Sequence, residues 1–241
     1  MSKSYHLVLG GSQGLGAELV QQLLKKGQPV ISVARSSDGT SAGSGFIAIA
    51  CDLSRQSDRE DLIAQLQKLP GEIDTVYFCA AQMAYGDYAE TSLEEGSRLL
   101  NLNVLGVHHL MQAALSSLKV KRVYLISSEA AFFPLASMSL YSASKAFLHQ
   151  FGLSLYWNAL ARGVLVQTYV APPMKTQFDQ KYASKMKRRF HRFEPSTVAS
   201  HLLSARDNHS PEIFFQSKAG WIRKLMSLFP RKLLVKIFSQ V

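Results

Sequence analysis

Short runs of apolar residues alternate along the chain with longer stretches in which apolar and polar positions mix at helical spacing. The runs are YHLVLG (5–10), PVISVA (29–34), FIAIAC (46–51), DTVYFCA (74–80), KRVYLIS (121–127) and VLVQTYVA (164–171). Short and rich in Val, Ile and aromatics, they predict strands buried on both faces. Stretches 15–26, 55–68, about 92–118 and 139–162 predict helices between them. Parallel neighbours need crossover connections, so this rhythm implies an α/β fold: a single Rossmann-like, doubly wound parallel sheet with helices on both faces. The segment SSDGTSAGSG (36–45) is low in complexity but too short for a domain linker, and predicts a surface loop with a shortened or missing helix. Beyond 175 the rhythm breaks into FDQKYASKMKRRFHRF, a helix-like stretch from Pro195 to Arg206, a short strand candidate EIFF, and AGWIRKLMSLFPRKLLVKIFSQV.

Composition narrows the picture. With 241 residues, 47% of them hydrophobic, the chain can fill a sizeable core, which excludes disorder as its main state. The formal charge is +10, yet residues 1–174 carry 13 Lys/Arg and 13 Asp/Glu, whereas 175–241 carry 14 and 4. The whole excess sits in the last quarter, which argues against a nucleic-acid binder with a basic body. Cys51 and Cys79 lie in apolar runs without metal-ligand spacing and are expected to be buried free thiols. The first apolar run starts at Tyr5, leaving no room for a secretory signal, and no stretch reaches the ~18 to 20 apolar residues of a membrane span. A cytoplasmic, non-spanning protein is expected.

The turn between the first strand and first helix reads Gly10-Gly11-Ser12-Gln13-Gly14-Leu15-Gly16. A dinucleotide pyrophosphate needs such a turn: glycines allow close backbone approach, and free N–H groups at the helix start meet negative charge. A purely structural glycine turn is the plain alternative. At the end of the second strand, where an acid would accept hydrogen bonds from a ribose, stand Arg35 and Ser36. A guanidinium there suits a 2'-phosphate and points to NADP(H) over NAD(H), the alternative being a solvated loop arginine. Asp52, with Leu53 beside it, closes the third strand, where its carboxylate can accept from the adenine amino group; otherwise it is a turn acid or N-cap, a role for which Ser54 competes.

YSASK places Tyr141 and Lys145 at i and i+4, on one helix face. A nearby ammonium favours the phenolate and lowers a tyrosine pKa from its reference of ~10, making Tyr141 a candidate general acid for a carbonyl or base for an alcohol. Ser128 ends the fifth strand, where its hydroxyl can bond the reacting oxygen. Asn103 stands among apolar neighbours in LLNLNVLGVHHL, where an amide needs a partner or marks a kink.

Together these residues resemble the short-chain dehydrogenase/reductase family over about 5–215. The family's T-G-x-x-x-G-x-G corresponds to Leu9 through Gly16, with the threonine lost. Asp52-Leu53 match the adenine-contacting pair, and Asn103, Ser128, Tyr141 and Lys145 match the catalytic tetrad in order and spacing. The resemblance implies hydride transfer between C4 of NADP(H) and a carbonyl carbon. Tyr141 would then be the proton donor, Ser128 the oxygen-positioning group, Lys145 the ribose anchor and Asn103 the holder of a relay water. Two segments depart from the pattern. The family's Asn-Asn-Ala-Gly reads Phe78-Cys79-Ala80-Ala81, leaving the Ala80 backbone to contact the cofactor. Its Pro-Gly turn reads Pro172-Pro173, with Thr176 placed to contact the nicotinamide amide or diphosphate.

The resemblance also implies a catalytic domain at 1–215, with a substrate-covering lid at about 176–208 and a tail at 216–241. KMKRRFHRF (185–193) can grip an acyl-CoA or an acidic acyl carrier protein, or can simply face water. In the tail, Trp221, Leu225 and Phe229, then Leu233, Ile237 and Val241, repeat at helical spacing against a basic face. Such a basic amphipathic extension can lie on an anionic membrane, pack on the domain or a second subunit, or bind an acidic partner. The expected protein is a reductase of a hydrophobic or 3-oxoacyl-type small-molecule substrate, assembled as a homodimer or homotetramer. The alternative is a non-catalytic NADPH-sensing protein on the same fold.

Overall fold

Seven strands, Ser4–Leu9 (β1), Val30–Ala34 (β2), Phe46–Ala50 (β3), Glu72–Phe78 (β4), Val120–Ser128 (β5), Leu165–Ala171 (β6) and Glu212–Phe214 (β7), form one sheet in the order β3-β2-β1-β4-β5-β6-β7. Every neighbouring pair is parallel. The structure is a computed structural model that describes residues 3–36, 45–176, 191–216, 228–230, 232 and 234–235. The helices are Gly14–Lys25 (α1), Gln56–Gln67 (α2), Leu93–Leu100 (α3), Val107–Ser116 (α4), Ser139–Leu160 (α5) and Pro195–Ser204 (α6).

The continuous apolar runs follow from burial on two sides. Successive strand residues point to opposite faces. Leu7, Leu9, Ile31, Val33 and Leu125 accordingly pack with Leu62, Met111 and Leu148 of α2, α4 and α5. Val8, Val30, Tyr77, Tyr124 and Tyr169 pack on the other side, with Leu15, Leu19 and Leu23 of α1 and Val198 and Leu202 of α6. A side chain such as Leu19, fully removed from water, contributes about 1.5–3 kcal/mol over the exposed state. β1 lies between β2 and β4, so the connections on its two sides run in opposite directions and open a crevice at the carboxyl ends of the strands.

The single helix expected over about 92–118 is interrupted. Ser92 caps α3, its Oγ accepting from Glu95 N at 3.1 Å, but Asn101–Gly106 form a π-helical turn before α4 resumes. One extra residue in the turn widens the backbone ladder around Asn103. The EIFF candidate is β7, whose Glu212, Ile213 and Phe214 pair with Thr168, Tyr169 and Val170 of β6.

α6 falls within the span read as a lid, yet it is packed into the body. Val198, Ala199 and Leu202 are fully buried, and Gln22 of α1 bonds Ser196 and Ser200 at 3.0 Å each. Residues 37–44 of the segment expected to be a surface loop, residues 177–190 with most of the basic run 185–193, and most of the C-terminal tail lie outside the described residues. Among the described residues, no helix is long and apolar enough to cross a membrane.

Candidate active site

The crevice begins at the glycine turn. Gly10 has φ +89°, and a Cβ there would stand 2.7 Å from the Ala80 Cα, so β1 and the end of β4 approach as only glycine permits. A Cβ on Gly16 would stand 2.0 Å from the Gly10 carbonyl oxygen, which is how α1 packs directly onto the turn. Gln13 occupies the N-cap of α1 without a side-chain capping bond, and the first turn holds no acid. The helix therefore presents its amino-terminal N–H groups and positive dipole end to the crevice, a setting that fits a diphosphate. Thr176 lies over this turn, its Cγ2 3.4 Å from where a Cβ of Gly14 would be.

At the far side, Arg35 and Ser36 emerge exposed from β2. Asp52 follows β3, but its carboxylate is already engaged. Oδ1 accepts from Ser54 N at 3.0 Å and Ser54 Oγ at 2.6 Å, and Oδ2 accepts from Arg98 Nη2 at 3.1 Å. Burial alone would raise its pKa, yet the Ser54 bonds and the charges of Arg98 and Arg35 hold the carboxyl below its usual range. Asp52 is thus a turn acid tied to α3, and the adenine amino group would have to share an occupied acceptor. Neither Asp52 nor Ser54 caps α2, whose N-cap position is Arg55, without a side-chain cap bond.

Lys145 reaches the crevice from α5 and is 5% exposed. Its Nζ donates to the Ile126 carbonyl of β5 at 2.8 Å and stands 5.7 Å from the centre of the Tyr141 ring. Burial disfavours the ammonium and brings its pKa down to about 8. Ser127 Oγ donates to the Lys145 carbonyl at 3.0 Å, tying α5 to the end of β5 beside Ser128. Ser128 Oγ accepts from Ala130 N at 3.2 Å, which fixes the hydroxyl at the strand end.

Asn103 lies behind the crevice wall, 3% exposed and fully bonded. Its Oδ1 accepts from Gln82 N at 2.8 Å, and its Nδ2 donates to the Gln82 carbonyl and to Ser144 Oγ, each at 2.9 Å. Ser144 Oγ in turn donates to the Tyr141 carbonyl at 2.8 Å. One amide therefore joins the segment after β4 to the helix turn bearing Tyr141 and Lys145.

These groups line one cavity of about 1160 Å³. Gly10, Ser12, Gln13, Gly14, Leu15, Gly16, Arg35, Asp52, Leu53, Ala80, Ser128, Tyr141, Lys145 and Thr176 all border it; Asn103 supports it from behind, and Ser36 stands outside. Cys79, expected to be sealed in the core, is half-buried and borders the cavity instead, because the strand ends at Phe78, two residues before the end of the apolar run. Burial pushes its thiol up to about 12, so a neutral thiol faces Lys145.

Sequence reasoning missed Arg98, Gln82, Ser144 and Glu129. Only Ser144 carried a signal, as the residue before Lys145 in YSASK. Phe132, Phe133, Leu135 and Met138 give the reacting end of the cavity its apolar wall, and Phe193 closes one side by pairing with Pro173 and Lys175.

Comparison with known proteins agrees with this architecture. The chain is 33% identical over 175 residues to the ketoacyl reductase HetN of Nostoc sp., a match that takes in 68% of this chain and 59% of that protein. It is 26% identical over 248 aligned positions to a very-long-chain 3-oxoacyl-CoA reductase of Aspergillus terreus, taking in 94% of this chain and 68% of that one. A short-chain dehydrogenase from Burkholderia cenocepacia, solved with NADP, superposes with a TM-score of 0.81 at 18% identity over 98% of this chain and 97% of the other, a likeness of fold. Residues 5–187 match the short chain dehydrogenase family, and with the glycine turn, the parallel sheet and the Tyr141–Lys145 helix in place, the chain belongs to that family of oxidoreductases.

Proposed function

We propose that this protein is an NADP(H)-dependent reductase of carbonyl compounds with a hydrophobic or 3-oxoacyl-type body. The reading rests on one observation above the others. The buried Lys145 ammonium, held by the Ile126 carbonyl and facing the Tyr141 ring, stands in the same cavity as an uncapped helix terminus and the exposed Arg35. A sensing protein needs the second half of that arrangement but has no use for the first, so catalysis is favoured over nucleotide sensing.

The cofactor, when bound, supplies hydride at C4 of its nicotinamide. The chain's residues do the rest. The α1 terminus and Thr176 hold the diphosphate, Arg35 and Ser36 meet the 2'-phosphate, and Leu53 and Ala80 flank the adenosine side. Ser128 Oγ donates to the carbonyl oxygen of the substrate and fixes it beside Tyr141. Tyr141 gives its phenolic proton to that oxygen as negative charge develops there, and the Lys145 ammonium stabilises the phenolate left behind. Asn103 holds the Gln82 backbone and the Tyr141 turn in register; with its amide committed to Gln82 and Ser144, its side chain is a positioning group and not the holder of a relay water that the resemblance implied.

The apolar wall of Phe132, Phe133, Leu135 and Met138 supports a hydrophobic substrate, and the names of the Nostoc and Aspergillus relatives support a 3-oxoacyl one. Assembly as a homodimer or homotetramer is supported by Trp157, 74% exposed on α5, with the exposed Leu160 and Phe147 on the same helix. We place the protein in the cytoplasm, with the basic tail available to an anionic membrane or an acidic carrier protein; liposome co-sedimentation with and without 219–241 tests the membrane part.

Tyr141→Phe tests the mechanism. It is expected to bind NADPH as the parent does and to lose nearly all turnover across a panel of ketones and 3-oxoacyl thioesters, followed by loss of reduced-nicotinamide absorbance. Retained turnover would sink the assignment.

A further inference from the structure

Among the described residues, Glu129 is the one acid bordering the reacting end of the cavity, and the mechanism above does not use it. It follows Ser128 directly and opens the short helical turn Glu129–Phe132, whose last residue, with Phe133, belongs to the apolar wall. The side chain is half-buried. Among the described residues it has neither a hydrogen-bond donor nor an ion-pair partner, and no charged group bears on its ionisation. Burial alone acts on it and pushes the carboxyl above its usual range. Asp52, by contrast, borders the same cavity with Ser54 and Arg98 committed to its oxygens.

A half-buried carboxyl costs free energy unless a donor meets it. Here the open direction is the cavity, where water meets the carboxyl until a substrate displaces it and must supply a donor in its place. Position limits where that donor can be. Glu129 adjoins Ser128, with their Cα atoms about 3.8 Å apart, so a group meeting the Glu129 carboxyl belongs to the same end of the substrate as the carbonyl whose oxygen Ser128 holds.

We propose that Glu129 is a specificity-determining residue: the carbonyl compound this enzyme reduces carries a hydroxyl or a protonated amine close to the reacting carbon, and Glu129 accepts a hydrogen bond from it. The rest of the substrate is apolar, to match Phe132, Phe133, Leu135 and Met138. A substrate with a free carboxylate at that position is excluded by like charge. This assignment rests on the reductase reading and names the substrate class within it.

The test uses the full-length protein with NADPH and three ketones of equal chain length: an alkyl ketone, its hydroxy ketone and its amino ketone. The quantity read is kcat/KM for each donor-bearing ketone relative to the alkyl ketone. The parent is expected to prefer both donor-bearing compounds. A charge-assisted hydrogen bond corresponds to about 10- to 100-fold in such a ratio, so Glu129→Leu should lower both ratios by that factor. Glu129→Gln keeps an acceptor oxygen without the charge, and should lower the amino ketone's ratio more than the hydroxy ketone's. NADPH binding by fluorescence shows that each variant is folded. A parent without preference, or ratios that neither substitution moves, overturns the assignment of Glu129 while the reductase stands. No NADPH consumption with any ketone refutes the reductase reading, and this assignment with it.

Discussion

Replacing Asn103 with alanine tests whether the wall behind the active site depends on a single amide. The substitution removes three hydrogen bonds of 2.8 to 2.9 Å from a side chain that is 3% exposed. A buried polar group left without a partner costs about 1–3 kcal/mol. Gln82 borders the cavity, so water can recover part of what its N–H and C=O lose. Ser144 Oγ keeps its bond to the Tyr141 carbonyl and loses only what it accepted. Taking about 1 kcal/mol for each Gln82 group and a little less for Ser144, with a small packing loss, gives a destabilisation of about 2–4 kcal/mol. For a chain of this size that corresponds to a fall in Tm of roughly 4 to 16 °C, and guanidinium unfolding should show a lower midpoint at unchanged slope. Asn103→Asp makes a finer test. It keeps the acceptor for Gln82 N but turns a second acceptor against the Gln82 carbonyl and Ser144 Oγ. Its loss at neutral pH should therefore match or exceed that of alanine, and should shrink as acid protonates the carboxylate. If Asn103→Ala melted within about 2 °C of the parent, the amide would not be the clamp described here.

Other consequences are as direct. Arg35→Ala should weaken NADPH binding by about 10- to 100-fold and NADH binding far less, as measured by fluorescence titration; equal losses would refute the contact with the 2'-phosphate. Lys145 titrates at about 8 in the free protein, so kcat/KM measured at low NADPH should fall as pH rises through that value, whereas saturating cofactor should move the fall upward. The same shift has a stability sign. Between about 8 and the ordinary lysine value of 10.5 the folded chain binds fewer protons than the unfolded one, so this group adds stability as pH rises across that window, and replacing Lys145 with methionine should remove that slope from guanidinium midpoints. Gly16→Val must push its Cβ into the Gly10 carbonyl oxygen, and should cost about 1–3 kcal/mol or more along with most NADPH affinity; near-parental binding would show that α1 does not need its close approach.

The fold was legible in the sequence because a parallel sheet buried on both faces turns each strand into a short continuous apolar run. Tyr141, Lys145 and Ser128 were legible because i, i+4 spacing and a strand terminus fix where side chains go. What remained hidden depends on contacts between distant segments. Arg98 lies 46 residues from Asp52, and nothing local marks it as the partner that occupies that carboxylate. The π-helical turn at Asn101–Gly106 shifts the apolar pattern by one position, which a period-3.6 reading absorbs as an ordinary helix. Glu129, one acid after a strand, carries no local mark of the cavity it borders, whose wall is built from segments distant in sequence.

The altered segment after β4 can be understood in the same terms. Phe78-Cys79-Ala80-Ala81 carries no side-chain amide and no glycine, so its position must come from its backbone. Cys79 N and Ala80 N both donate to the Leu9 carbonyl, at 3.0 and 2.8 Å, which anchors the segment to β1. Two residues later, Asn103 takes both the N–H and the C=O of Gln82. The wall is thus pinned at both ends without help from the side chains of residues 78–81. The small neutral Cys79 thiol then leaves room beside Lys145 without placing a charge there, since burial keeps it protonated. Lys145 owes its lowered pKa to burial and its position to Ile126, both independent of the missing amides. The cost is concentration of the support: with no side-chain amide in the segment, it leans on Asn103 and the Leu9 carbonyl, and a substitution at Asn103 should disturb cofactor binding and the Tyr141 turn together rather than separately.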